Sequence, residues 1–138
     1  MRKLLSILVA LVLPLAACKD GTGPSGIDGT YTLVSINTQA LPVTVFASNA
    51  GRIDVLDATL VLRSDLSYTE TINYRVIPAA AEPFSDVAVE NGSYTVAGNA
   101  VTFTLLTGNR NPSFSYTGTV EGNTLTYSFQ GESYAYRK

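Results

Sequence analysis

Thr95-Val96-Ala97-Gly98-Asn99-Ala100-Val101-Thr102-Phe103 recurs as Thr119-Val120-Glu121-Gly122-Asn123-Thr124-Leu125-Thr126-Tyr127, and this near-repeat decides the fold. Each copy reads as a β-hairpin. Gly-Asn as a two-residue loop suits a type II′ turn, with glycine supplying the positive φ at its first position. Such a loop fixes register, so cross-strand partners follow: Val96 with Val101, Tyr94 with Phe103, Val120 with Leu125, and Tyr116 with Phe129. These apolar pairs share one face. On the other face Thr95 meets Thr102 and Thr119 meets Thr126, pairs that tolerate water and add a few tenths of a kcal/mol each. Gly118 falls opposite Tyr127, where a ring can cover bare backbone.

An earlier hairpin reads the same way. A three-residue loop at Ser64-Asp65-Leu66 pairs Leu62 with Tyr68, Leu60 with Glu70, Ala58 with Ile72 and Leu56 with Tyr74. Glu70 alone breaks that apolar face. It is either a ligand or network group inside a barrel or, on the plainer reading, the sign of a register error or a carboxylate reaching a rim. Val87 and Val89 are out of phase with Tyr94 and Val96, which predicts a bulge near Asn91-Gly92. Turn signals at near-regular spacing give strands near 29–37, 42–47, 54–63, 67–77, 86–96, 100–106, 113–121, 124–130 and 132–137. No segment beyond the first residues keeps a helical period. Consecutive tight hairpins imply neighbours in space, so the expected fold is all-β: an up-and-down antiparallel meander closing into a barrel of eight or nine strands.

The beginning of the chain is a different polymer. Arg2 and Lys3 precede an apolar run from Leu4 to Leu13, too short for a bilayer span, which needs about 20 residues, and suited to a helical signal peptide. Leu15-Ala16-Ala17-Cys18 then matches the lipobox, and the whole leader resembles that of bacterial lipoproteins. The resemblance implies cleavage before Cys18 and its lipidation by a diacylglyceryl thioether and a fatty acyl chain such as palmitate. An ordinary signal peptide, cut to leave a free thiol, is the alternative. Several acyl chains hold a protein firmly to a membrane where one does so marginally. Lys19 after the cysteine agrees with sorting to the outer membrane, facing the periplasm. The expected division is a signal peptide over 1–17, the lipidated cysteine with a Gly/Pro/Ser tether over 18–28, and a barrel domain over 29–138.

Within that domain, Gly29-Thr30-Tyr31-Thr32-Leu33, Leu41-Pro42, Leu60-x-Leu62 with Asp65-x-Ser67-Tyr68, and Gly92-Ser93-Tyr94-Thr95-Val96 resemble small bacterial lipocalin-like lipoproteins. Relatives often carry turn glycines where this chain has Thr38 and Leu66. The resemblance implies a lipocalin-like barrel with room for an internal pocket. Candidate interior residues are Tyr68, Glu70, Ile72, Tyr74, Tyr94, Phe103, Tyr116, Tyr127 and Phe129, and the same side chains would serve to fill an ordinary core. By strand parity the loops near 38–41, 64–66, 98–99 and 122–123 share one end. Those near 48–53, 78–85 and 107–112 share the other, giving a mouth with Arg52, Phe84 and Arg110 as contact residues. Phe84 is expected to tuck inward. The tether enters the first strand at this mouth, which would aim it at the membrane.

Composition removes several classes of function. The chain has 138 residues, no histidine, no tryptophan and one cysteine, so no internal disulfide forms and the commonest general base and nitrogen ligand are missing. Paired carboxylates remain conceivable as Asp54 with Asp57 or Glu70 with Glu90, each better read as solvated rim charge. No Asp-x-Asp-x-Asp-Gly loop occurs, so neither a metal nor another cofactor is expected. Of nine basic residues, Arg2 and Lys3 lie in the leader and the rest are outnumbered by eleven acidic ones, leaving no patch for nucleic acid. The expected protein is therefore not an enzyme but a membrane-tethered module of the bacterial cell envelope. It either binds a small lipophilic ligand in a hollow barrel or, with a filled barrel, docks an envelope protein through its loops.

Overall fold

The computed structural model describes residues 26–106 and 114–138, and these form one antiparallel barrel. Ten strands follow in order: β1 Gly29–Ile36, β2 Gln39–Ala40, β3 Val43–Ser48, β4 Gly51–Leu62, β5 Ser67–Pro78, β6 Phe84–Ala97, β7 Ala100–Leu105, β8 Ser115–Glu121, β9 Thr124–Phe129 and β10 Glu132–Arg137. Each of β4 to β9 pairs with its successor, and β10 pairs with β1. Pairing of Gly29–Thr32 with Thr59–Leu62 then joins β1 to β4 and closes a ring of eight strands. The last half of β1 and the first half of β4 part company. There β2 pairs with Ser35 and Ile36, while β3 pairs with Gly51–Val55.

Turn chemistry sets these registers. Gly98 and Gly122 have φ of 64° and 59°, and the asparagine after each stays at negative φ, as a type II′ hairpin requires. Val96 therefore pairs with Val101, Tyr94 with Phe103 and Val120 with Leu125, as the repeat predicts. The two-residue turns Asn37-Thr38 and Gln130-Gly131 hold both central residues at positive φ, the type I′ pattern. Inward residues of all eight strands make one core, with Tyr31, Leu60, Tyr68, Tyr94, Val101, Phe103, Leu125 and Tyr136 at or near zero exposure. Threonines line the outside, where Thr102 Oγ1 lies 3.3 Å from Thr117 Oγ1.

Three expectations are corrected. A bulge at Leu56 shifts the β4–β5 register, so Tyr74 pairs with Val55 and not with Leu56. No bulge occurs near Asn91-Gly92: the β5–β6 ladder runs without a shift, and Val87 and Val89 simply face solvent, 52% and 57% exposed. The third concerns direction. The two-residue β2, unrecognisable by pattern, adds a chain reversal, so the 37–38 turn joins the 79–83 and 130–131 connections at one end. The 63–66, 98–99 and 122–123 turns lie at the other end, together with the first residues of β1. The tether thus enters opposite the mouth. There Lys138 Nζ donates to the carbonyls of Gly26 at 3.2 Å and Asp28 at 2.5 Å, and Tyr31 Oη donates to Ile27 O at 2.7 Å.

Candidate binding cavity

The inward face changes character along the barrel. At the tether end, large side chains meet across the axis: Tyr94 Oη donates to the Arg63 carbonyl at 2.7 Å, and Tyr68 stands edge-on to Phe103 with centroids 5.2 Å apart. Past the middle, β4, β5 and β6 run on for several residues and flare away from β1 and β10. Between them lies a cavity of about 520 Å³, lined by Leu33, Val45, Phe46, Ile53, Val55, Ala58, Ile72, Tyr74, Ala88, Phe129, Gln130, Glu132, Tyr134 and Tyr136. Most of that wall is carbon. The volume is that of a small-molecule pocket, which typically spans about 300–1,000 Å³.

A smaller chamber of about 110 Å³ lies deeper, lined by Glu70, Ile72, Glu90, Leu105, Phe114, Tyr116, Tyr127, Phe129 and Tyr134. Ile72, Phe129 and Tyr134 belong to both walls, so the two spaces adjoin. Glu70 is 2% exposed. Its Oε1 accepts the hydroxyl of Tyr127 at 2.7 Å and that of Tyr136, the two phenols coming from β9 and β10. Burial pushes the Glu70 carboxyl above its ordinary value, the two phenols oppose that shift, and Glu90 on the facing position of β6 adds to it. Glu90 is raised by burial as well. The phenols of Tyr116, Tyr127 and Tyr136 are driven upward, chiefly by burial and then by the charge on Glu70, so they remain neutral donors.

The sequence-derived interior is therefore partly one site. Glu70, Ile72, Tyr74, Tyr116, Tyr127 and Phe129 line the cavities, whereas Tyr68, Tyr94 and Phe103 pack in the core beyond them. The rim reading of Glu70 and Glu90 is overturned, since strand parity turns both inward. Asp54 and Asp57 do not come together. Asp54 sits on the outer face under Arg52 and Arg75, at 3.3 and 3.2 Å, and accepts from Thr44 at 2.7 Å, while Asp57 accepts from Asn73 at 2.5 Å. The Thr44 hydrogen bond is the largest influence on Asp54 and, with the arginines, holds its carboxyl below the usual range.

Arg52 is consequently not a mouth-loop residue: it lies within β4 on the outer face. Phe84 opens β6 at the mouth end but is 53% exposed and not tucked inward. Cys18 and Arg110 lie outside the described residues. Sequence reasoning missed Glu132, Tyr134 and Tyr136, whose alternation along β10 was the available signal. It also missed Phe46, which a bulge in β3 turns toward the cavity. The chain matches no protein-family model, and no curated protein matches it.

Proposed function

We propose that this chain is a lipid-anchored barrel of the bacterial cell envelope that binds a small, largely apolar molecule in its open end. The observation that carries the reading is the cavity of about 520 Å³ with an apolar wall, since a barrel acting only through its loops has no use for an unfilled interior. The lipobox ending at Cys18 supports the anchor, and absence of histidine weighs against hydrolytic chemistry. No helix among the described residues is long and apolar enough to cross a membrane.

Fluorescence of the neutral dye N-phenyl-1-naphthylamine tests it, using the chain from Lys19 onward, because the barrel closes entirely within later residues. Saturable enhancement is expected, displaced by fatty alcohols. Ala88 lines the cavity, and Ala88→Trp should weaken dye binding at least about ten-fold by filling it. Absence of saturable binding, with the fold intact by circular dichroism, overturns the carrier reading and returns the filled-barrel adaptor. Mass spectrometry of the membrane-extracted protein should find an acylated Cys18.

A further inference from the structure

Among the described residues, the charges that meet the two cavities are all of one sign. Glu132 lines the wide cavity, Glu70 and Glu90 line the inner chamber, and no lysine or arginine among the described residues lines either. The four described arginines lie elsewhere: Arg52 and Arg75 turn outward to Asp54, Arg63 reaches Ser67 and Thr69 on the outer face, and Arg137 is exposed at the end of β10. Two carboxyl groups on facing positions of neighbouring strands repel when both are ionised, and no described cation balances them.

A second feature points the same way. The rest of the wall is aromatic, Tyr116, Tyr127, Phe129 and Tyr134 among it, and ring faces attract a cation that carboxylates alone would leave with bare carbon around it.

We propose that the inner chamber holds the ammonium head of an amphiphilic amine whose apolar tail occupies the wider cavity. Glu70 and Glu90 accept its N–H groups, and the rings enclose its methylenes. The proposal rests on the carrier reading above and names the chemistry of its ligand.

Decylamine, decanol and decanoic acid, each below its aggregation limit, separate the two ideas by displacing N-phenyl-1-naphthylamine. Hydrogen bonds between a charged group and a carboxylate are strong enough to favour the amine over the alcohol by about ten-fold or more, with the acid weakest. Glu90→Gln should bring amine and alcohol to parity while leaving decanol unchanged. Glu70→Gln, which keeps an acceptor for both phenols, should do the same. Decanol or decanoic acid displacing the dye as well as decylamine does in the unaltered chain overturns the amine proposal alone, whatever the variants do. An amine preference that survives both substitutions also overturns it. Failure of all three compounds and of the dye to bind overturns the carrier reading, and the amine with it.

Discussion

Glu70 occupies a position that the apolar alternation of its hairpin would give to a valine or leucine, and its environment shows how a barrel interior tolerates it. Two phenols converge on one carboxylate oxygen, and their neutral state is secured by the same burial that raises the carboxyl. Its folded value lies above the ordinary 4.5, so the native state holds the proton more tightly than the unfolded chain. Stability from this group is then fully present below about pH 4.5 and falls as pH rises through the raised folded value. Glu70→Gln keeps the acceptor, removes the charge, and should flatten that decline in urea midpoints measured across pH 4 to 8. Glu70→Ala should cost about 3 kcal/mol near pH 4, because it opens a cavity and orphans two buried hydroxyls, and less at higher pH as the parent loses the stability that this carboxyl supplies. A Gln variant with the pH dependence of the parent would rule out Glu70 as its source.

Among the elements, turns carry the register and also the strain. Leu66 sits at φ 66° in the β4–β5 connection, and Thr38 has the same φ in the turn into β2. Left-handed backbone costs a side-chain-bearing residue about 1–2 kcal/mol, and more for a β-branched one. Thr38→Gly should therefore raise the urea midpoint by about 1 kcal/mol of stability, with Leu66→Gly gaining less because Leu66 also shelters some surface at 37% exposure. A loss of stability in Thr38→Gly would show that the threonine side chain supports the turn. These two residues were the ones that departed from the glycine pattern, so sequence located the turns while leaving their direction open. Wherever a two-residue loop joined alternating strands, partners were computable in advance: Tyr94 with Phe103 and Leu60 with Glu70 are examples. Bulges escaped, because an extra residue at Leu56 leaves no compositional mark. Strand β2 escaped because two residues cannot display a period. The exposed valines of β6 were misread for a different reason, since β-branched residues favour strands on either face and do not by themselves say which is buried.

At the scale of the whole molecule, the missed reversal at β2 changes where the mouth points. Residues 26–28 are clamped to the closed end through Lys138 and Tyr31, so a tether from Cys18 attaches there and the cavity opens at the opposite end. Strand β5 has 12 residues, which at about 3.3 Å each separates the two ends by about 40 Å. From Cys18 to the clamped Gly26 the tether spans about 30 Å when stretched. An anchored barrel is thus held by its base, and its mouth samples the aqueous space more than the bilayer. A carrier so placed receives its ligand from solution or from another protein, not by dipping its opening into the lipid beneath it. The chain contains a single cysteine, the one proposed to be acylated, so an introduced thiol can be labelled alone. A fluorophore at Asn123→Cys, on the base, should be quenched strongly by nitroxide-bearing headgroups in vesicles carrying the lipidated protein. The same fluorophore at Ala80→Cys, beside the mouth, should be quenched weakly. Equal quenching at the two positions would mean that the tether lets the barrel tumble freely. Stronger quenching at Ala80 would mean that the open end faces the membrane after all, drawn down by the exposed Phe46 and Phe84 at its rim.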